Sequence, residues 1–232
     1  MNDVFSPEKV QSMLASLPDL PFATWESFYV TILSTLMALV IGLPLGVLLV
    51  LGDKDGLLPM PRWLMTALNF LINLLRSVPL LILMIMVQPL SQLLLGTTIG
   101  TTASIIPLVA ASFPFVARLV ETSLREVDGG VVEAAQSMGA TPFQIIAKVM
   151  IPESMPSLIA NVTIALTTIL SYNAMAGIIG GGGLGQIAIN YGYYRYEALI
   201  MYVYTAVLVI MVQVFQSFGT WLAARCDKRL RK

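Results

Sequence analysis

Few side chains in this sequence are able to perform chemistry, and their types exclude most of it. Histidine is absent and the only cysteine, Cys226, stands in a basic C-terminal tail. An internal disulfide, a histidine-based metal site and a histidine-containing catalytic triad are thereby ruled out. Gly180 to Gly185 satisfies Gly-x-Gly-x-x-Gly, which cradles dinucleotide pyrophosphates when it joins a strand to a helix. Here it follows an apolar helical stretch with no βαβ unit around it, so it reads as an external gate or as a plain re-entrant turn. No Gly-Lys-Ser or Gly-Lys-Thr occurs; if ATP drives this protein, another chain must bind it. Arg118, Glu121 and Thr122 stand at i, i+3 and i+4, where arginine and glutamate form a structural ion pair or serve a proton relay. The scarcity of other intramembrane carboxylates favours the pair.

The elements that must position these residues belong in lipid. Of 232 residues, 57% are hydrophobic and 11% charged, with a mean hydropathy of +0.83, whereas soluble domains carry about 25% charged residues. A hydrocarbon core of roughly 30 Å needs about 20 apolar residues per helix. Five such segments are expected, near Phe28 to Leu51, Ser77 to Leu95, Ala103 to Val120, Ser157 to Ile179 and Ala198 to Leu222. Pro61 to Leu75 either begins the second span or lies along the surface as an elbow before Arg76-Ser77-Val78-Pro79, which would keep Arg76 near headgroups. Gly42-Leu43-Pro44-Leu45-Gly46 offers a small-xxx-small packing face in the first span, used within one chain or between two. The expected fold class is all-α, a polytopic helical bundle, since lipid leaves no water for unpaired backbone groups.

Residues 77 to 117 hold no charge, while Arg225, Lys228, Arg229, Arg231 and Lys232 crowd the tail. Placing that tail in the cytoplasm also puts Lys54, Arg62, Arg125 and Lys148 inside and leaves Lys9 and Arg195 outside. Five spans then put the N-terminus outside. Residues 1 to 21 carry Asp3, Glu8 and Asp19 and show no basic n-region with an apolar stretch and cleavage site, so no removable signal peptide is expected. Ser6-Pro7-Glu8 reads as an N-cap and first turn. It starts a short helix on the outer surface or a loosely ordered segment.

Asn161, Ala165, Thr168, Tyr172 and Met175 fall within an arc of about 80° on the fourth span. Such a stripe lines a transport route or makes hydrogen bonds between helices. Between the third and fourth spans, Arg125, Glu126, Asp128, Glu133, Gln136 and Lys148 make the chain too polar to cross the bilayer. Asp128 caps a short helix with Val131, Ala134, Ala135 and Met138 on one face, and Gly139 supplies a left-handed stop. Thr141-Pro142 restarts a helix that carries the chain to Pro152, where the membrane is expected to begin. The small-residue face requires a cover, whether lipid headgroups or another protein.

Glu133-Ala134-Ala135, three residues, Gly139, nine residues, then Val149, Ile151 and Pro152 resembles the coupling loop of bacterial ABC importer permeases. The resemblance runs from about Trp25 to the tail. It is most specific from Gly96 to Tyr196, through Arg76-Ser77-Val78-Pro79, Gly100-Thr101-Thr102-Ala103, Pro114-Phe115-Val116-Ala117-Arg118, Met138-Gly139-Ala140-Thr141-Pro142, Gly182-Gly183-Leu184-Gly185-Gln186 and Tyr191-Gly192-Tyr193. There the chain is similar to the methionine importer permeases. Gly129-Gly130 replaces the proline-containing approach often seen before the coupling helix, and the first 24 residues do not align.

The resemblance implies a type I ABC importer fold, with an N-terminal segment over 1–24 and a transmembrane domain over 25–232. It implies ATPase coupling by Val131, Glu133, Ala134, Ala135, Met138, Gly139, Ala140 and Thr141. Asn161, Thr168, Tyr172 and Met175 are the candidates for the substrate path. The implied partners are a second copy of this chain, two cytoplasmic ATPase subunits that bind ATP and Mg, an external substrate-binding lipoprotein, and membrane lipid. No cofactor, metal or nucleic acid is expected on this chain, which would sit in the bacterial inner membrane and perform no catalysis. Another small amino acid or polar nutrient is the alternative substrate, and a proton-coupled secondary carrier the alternative class. A membrane enzyme would need a nucleophile, metal ligands or a carboxylate pair.

Overall fold

The computed structural model describes residues 6–54 and 56–227. Asp3, Lys228, Arg229, Arg231 and Lys232, which entered the leader and orientation arguments, lie outside the described residues. Among the described residues the chain forms helices and turns and no strand, the solution open to a backbone that must satisfy its hydrogen bonds within each segment.

Helix α1 (Pro7–Ser16) starts at an extended Ser6, with proline at the first position, where a missing N–H costs nothing. One 3-10 turn, Leu17–Asp19, carries it into α2 (Leu20–Leu51). The expected N-terminal helix therefore forms, yet it is not a separate element. Helical backbone runs from Pro7 to Leu51, 45 residues, so the helix that contains the first expected span starts well before Phe28.

Helices α3 (Arg62–Ser77) and α4 (Leu80–Leu95) are separated by extended Val78 and Pro79, because a proline drives the preceding residue out of the helical region. The two helices bend by 109° at this point, which is the elbow expected at Arg76-Ser77-Val78-Pro79. Helix α3 is amphipathic, turning Ile72 inward and leaving Trp63, Phe70, Leu71 and Leu74 exposed.

Helix α5 (Thr101–Arg125) follows, then α6 (Gly129–Ser137), α7 (Pro142–Ile145), a π-helical turn over Ile146–Met150, and α8 (Ile151–Ala176). Helix runs without a break from Pro142 to Ile179, so the expected span from Ser157 and the expected membrane entry at Pro152 lie inside a longer helical run. The widened turn immediately before α8 relaxes the geometry that would set the Pro152 ring against the carbonyl of Lys148. A short α9 (Gly183–Ile187), a second π-helical turn over Ala188–Tyr193, and α10 (Ala198–Cys226) complete the chain. The run from Pro7, α5, the run from Pro142 and α10 are long and apolar enough to cross a membrane, and the bent α3–α4 pair makes up to five.

The chain packs as two compact units. One draws on Met1–Leu36, Pro79–Ala111 and Leu166–Phe215. Its core holds fully buried Tyr204 among Ala23, Leu170, Leu184 and Ile200, and the tyrosine hydroxyl donates to the Ser16 carbonyl at 2.8 Å. The buried ring thus finds the polar partner that its hydroxyl needs. A second cluster gathers Val30, Met84, Leu108 and Ala176. The other unit draws on Met37–Val78, Ser112–Ala165 and Gln216–Lys232. In it, α2 and α5 meet at the expected small-xxx-small face, within one chain. A Cβ on Gly42 would lie 2.7 Å from Val116 Cγ1, and one on Gly46 would lie 2.6 Å from the Ala117 carbonyl. Close backbone approach of this kind replaces the hydrophobic drive that lipid removes.

Candidate functional site

The polar segment after α5 is built as a capped bend. Asp128 Oδ1 accepts the Gly130 N–H at 2.7 Å, satisfying one of the donors that the first turn of α6 leaves open. At the other end Gly139 takes φ +79°. Its N–H donates to Gln136 O at 2.9 Å and the Ala140 N–H to Ala135 O at 3.1 Å, the two bonds of a Schellman stop. Two residues later Thr141 and Gln144 form a reciprocal capping box, with Thr141 N–H bonded to Gln144 Oε1 at 2.9 Å and Gln144 N–H to Thr141 Oγ1 at 3.4 Å. The bend therefore has a single determined backbone path, and it joins α6 to the long helical run that contains α8.

The exposures show what the bend presents. Ala135 is 4% exposed and turns toward its own chain, whereas Met138 is 82% exposed, Phe143 77% and Val131 44%. Glu133, Ala134, Gly139 and Thr141 are also exposed and Ala140 is half-buried. The structure thus brings Val131, Ala134 and Met138 onto one open surface, separates Ala135 from them, and adds Phe143, which the sequence pattern did not single out. A cleft of about 580 Å³, lined in part by Asp53, Leu57, Leu124, Val132 and Met150, lies behind α6. Ala135 is the one buried residue of α6, and the rest of the helix is exposed or half-buried. An apolar surface on a polar, capped bend suits a protein partner.

Immediately before the bend runs a chain of ionic contacts. Arg118 donates to Glu121 at 2.7 Å, to Asn69 Oδ1 at 2.7 Å and to Asn73 Oδ1 at 3.0 Å. Glu121 also accepts from Arg125 Nε at 3.1 Å, and Arg125 reaches Asp53 at 2.8 Å. The side chains of Arg118 and Glu121 are 21% and 12% exposed, and burial of this degree is affordable for charges only when they are paired and hydrogen-bonded. The hydrogen bond from Arg125, followed by that from the Lys54 backbone N–H, lowers the pKa of Asp53 below the ordinary carboxylate value. Arg118 and Glu121 form the expected ion pair inside a wider structural network.

The stripe on α8 divides. Asn161 Nδ2 donates to Ser123 Oγ at 2.8 Å and to Leu119 O at 3.2 Å, so its amide serves contact between helices. Ala165 is buried, Thr168 is half-buried, Tyr172 packs beside Val30 and Met84, and Met175 is 45% exposed. Exposed Ser171, also missed from sequence, lies one turn from Met175. The glycine segment is a tightly packed turn. A Cβ on Gly177 would strike the backbone of Gln186, and one on Gly185 the backbone of Ala174. Gly182, at φ +78° and ψ −172°, occupies a region open essentially to glycine alone. Glu26 accepts the Gly183 N–H at 3.0 Å and Ser27 Oγ the Leu184 N–H at 2.9 Å, so the start of α9 is capped from α2.

Residues 42–232 match the family described as "Binding-protein-dependent transport system inner membrane component". The chain belongs to that family. Among its relatives, this inner-membrane transport component is 50% identical over 210 residues to the "Probable D-methionine transport system permease protein MetI" of Vibrio cholerae, covering 89% of this chain and 92% of the relative. It is 44% identical over 217 residues to the "Methionine import system permease protein MetP" of Bacillus subtilis, covering 92% and 96%. A solved structure described as "Inward facing conformations of the MetNI methionine ABC transporter" superposes with a TM-score of 0.88 at 39% identity, over 90% of this chain and 96% of that one. The fold is that of a type I ABC importer permease, and the transport component is a multi-pass inner-membrane protein.

Proposed function

We propose that this chain is the permease subunit of an ATP-driven importer of methionine. The observation that carries the reading is the capped bend from Asp128 to Gln144, which presents Val131, Met138 and Phe143 outward in a chain whose relatives bear the names of methionine permeases. The bend is the docking element for a cytoplasmic ATPase. Val131, Glu133, Ala134, Met138, Gly139 and Thr141 form its surface and frame, with Ala135 and Ala140 fixing it from behind. Two copies of the chain frame one path, two ATPase subunits bind ATP and Mg, and an external lipoprotein delivers the substrate.

With the bend in the cytoplasm, two later crossings return the C-terminus to the cytoplasm, and three earlier ones place the N-terminus outside. Closure of the ATPase subunits draws the two bends together, and the helical run from Pro142 passes that displacement into the membrane. Thr168, Ser171, Tyr172 and Met175 face the substrate path, while Asn161 ties α8 to α5. Inverting a two-state population from 1:99 to 99:1 takes about 5.5 kcal/mol of differential interaction, so the surface must be bound firmly. The test is uptake of labelled L-methionine by cells lacking this chain, with and without the restored gene, against competing amino acids and with ATP depleted at constant membrane potential. ATP-dependent uptake that only the intact gene restores and methionine blocks supports the reading. Uptake that survives ATP depletion sinks the ABC assignment, and selective block by another amino acid moves the substrate.

A further inference from the structure

We propose that Asn69 and Asn73 are positioning residues that make α3 move as one body with the bend, acting through Arg118. The inference rests on the reading of the bend as the ATPase docking element. The two asparagines stand four residues apart on one face of α3, and both side-chain carbonyls accept from the same guanidinium nitrogen of Arg118, at 2.7 and 3.0 Å. The other terminal nitrogen of that group is taken by Glu121 at 2.7 Å, and Glu121 holds Arg125, the last residue of α5. Arg125 in turn holds Asp53 in the loop that leads to α3. Three residues after Arg125 comes Asp128, the cap of α6.

A displacement of α6 therefore reaches α3 along charge-assisted bonds at two points, Arg118 and Arg125. The first is a planar fork with fixed directions, which a lysine ammonium does not reproduce. A tie that served stability alone would be expected to bury apolar side chains in this stretch; α3 already does so with Met65, Leu68 and Ile72 against Leu49 and Ala117. The asparagines add direction to that contact.

The experiment uses the whole importer in proteoliposomes, measuring labelled L-methionine uptake and ATP hydrolysis on the same sample. Asn69→Leu with Asn73→Leu should lower uptake per ATP by about fivefold or more, the low end of ordinary coupling between sites. Asn69→Asp with Asn73→Asp, which still accepts from Arg118, should restore it. A lower yield of complex with unchanged uptake per ATP overturns the proposal, as does failure of the aspartates to restore what the leucines remove. A second measurement needs no substrate. Spin labels at Thr66→Cys and Gln136→Cys, in a Cys226→Ser background, should keep one separation with and without ATP in the parent and two in the leucine variant. An ATP-dependent separation in the parent also overturns the proposal. Absence of methionine uptake by the parent, with the labels behaving as expected, instead overturns the substrate reading and leaves the positioning role standing.

Discussion

Substitution of Gly139 isolates backbone geometry from packing. The residue sits at φ +79°, and a Cβ added there would meet nothing within 4 Å. Gly139→Ala therefore costs only the left-handed backbone penalty, about 1–2 kcal/mol, a factor of roughly 5–30 in the population of the native bend. Gly139→Asn should cost less, because a short polar side chain tolerates that region. Gly139→Pro is of another order: proline holds φ near −65°, about 145° from the observed value, and removes the N–H that donates to Gln136 O. A penalty of about 3 kcal/mol or more follows, and the Schellman stop cannot form. The bend is exposed, so thermal stability of the purified permease should change little across the series. Uptake per ATP in the reconstituted importer should rank glycine and asparagine first, alanine next and proline last, with proline near zero. Proline at parental uptake, or asparagine as damaging as proline, would refute the claim that a left-handed residue at 139 sets the docking geometry.

Phe143→Asp and Met138→Asp should each weaken co-purification of the ATPase by about 2 kcal/mol, the scale of an interface anchor, while leaving the permease's own melting temperature in place, since both side chains are more than three-quarters exposed. Unaltered recovery of the ATPase would show that the partner sits elsewhere. Gly46→Val sets a side chain against the Ala117 carbonyl and Val120 and should destabilise the detergent-solubilised protein by about 1–3 kcal/mol or more; a thermal melt checks it. Because the folded pKa of Asp53 is lowered, its tie to Arg125 is fully present above the ordinary carboxylate value of about 3.9 and is lost as pH falls through the depressed one. Asp53→Asn should therefore shift the melting temperature by one constant amount from pH 5 to pH 8, and a shift that varies across that window would contradict the assigned pairing.

How much of this was legible in the sequence depends on the range of the interaction involved. Asp128, Gly139 and Thr141-Pro142 act on backbone groups within three residues, so their chemistry named the bend before any fold was known, and the structure adds only Gln144 to the box. The break at Val78-Pro79 was readable for the same reason. The continuous helix through Pro152 was not readable, because the widened turn that precedes the proline is an accommodation that no residue type announces. Phe143 stayed hidden because periodicity reports which residues share a face and is silent on whether that face is covered.

The stripe on α8 shows where such reasoning stops. Asn161 and Met175 lie on one side of an ideal helix, yet Asn161 finds Ser123 and Leu119 on α5 while Met175 stays exposed. Polar atoms facing lipid are costly whether the remedy is a neighbouring helix or a water-filled path, so both remedies select the same residue types at the same spacing. Only the position of α5 separates them, and that position is set by Gly42 and Gly46 of α2 meeting Val116, Ala117 and Val120. Packing on one side of α5 therefore decides which polar residue of α8 is tied to a neighbouring helix. It follows that Gly46→Val should disturb the Asn161 contacts as well as the α2–α5 interface, and paired substitution with Asn161→Leu should be less than additive in a melt.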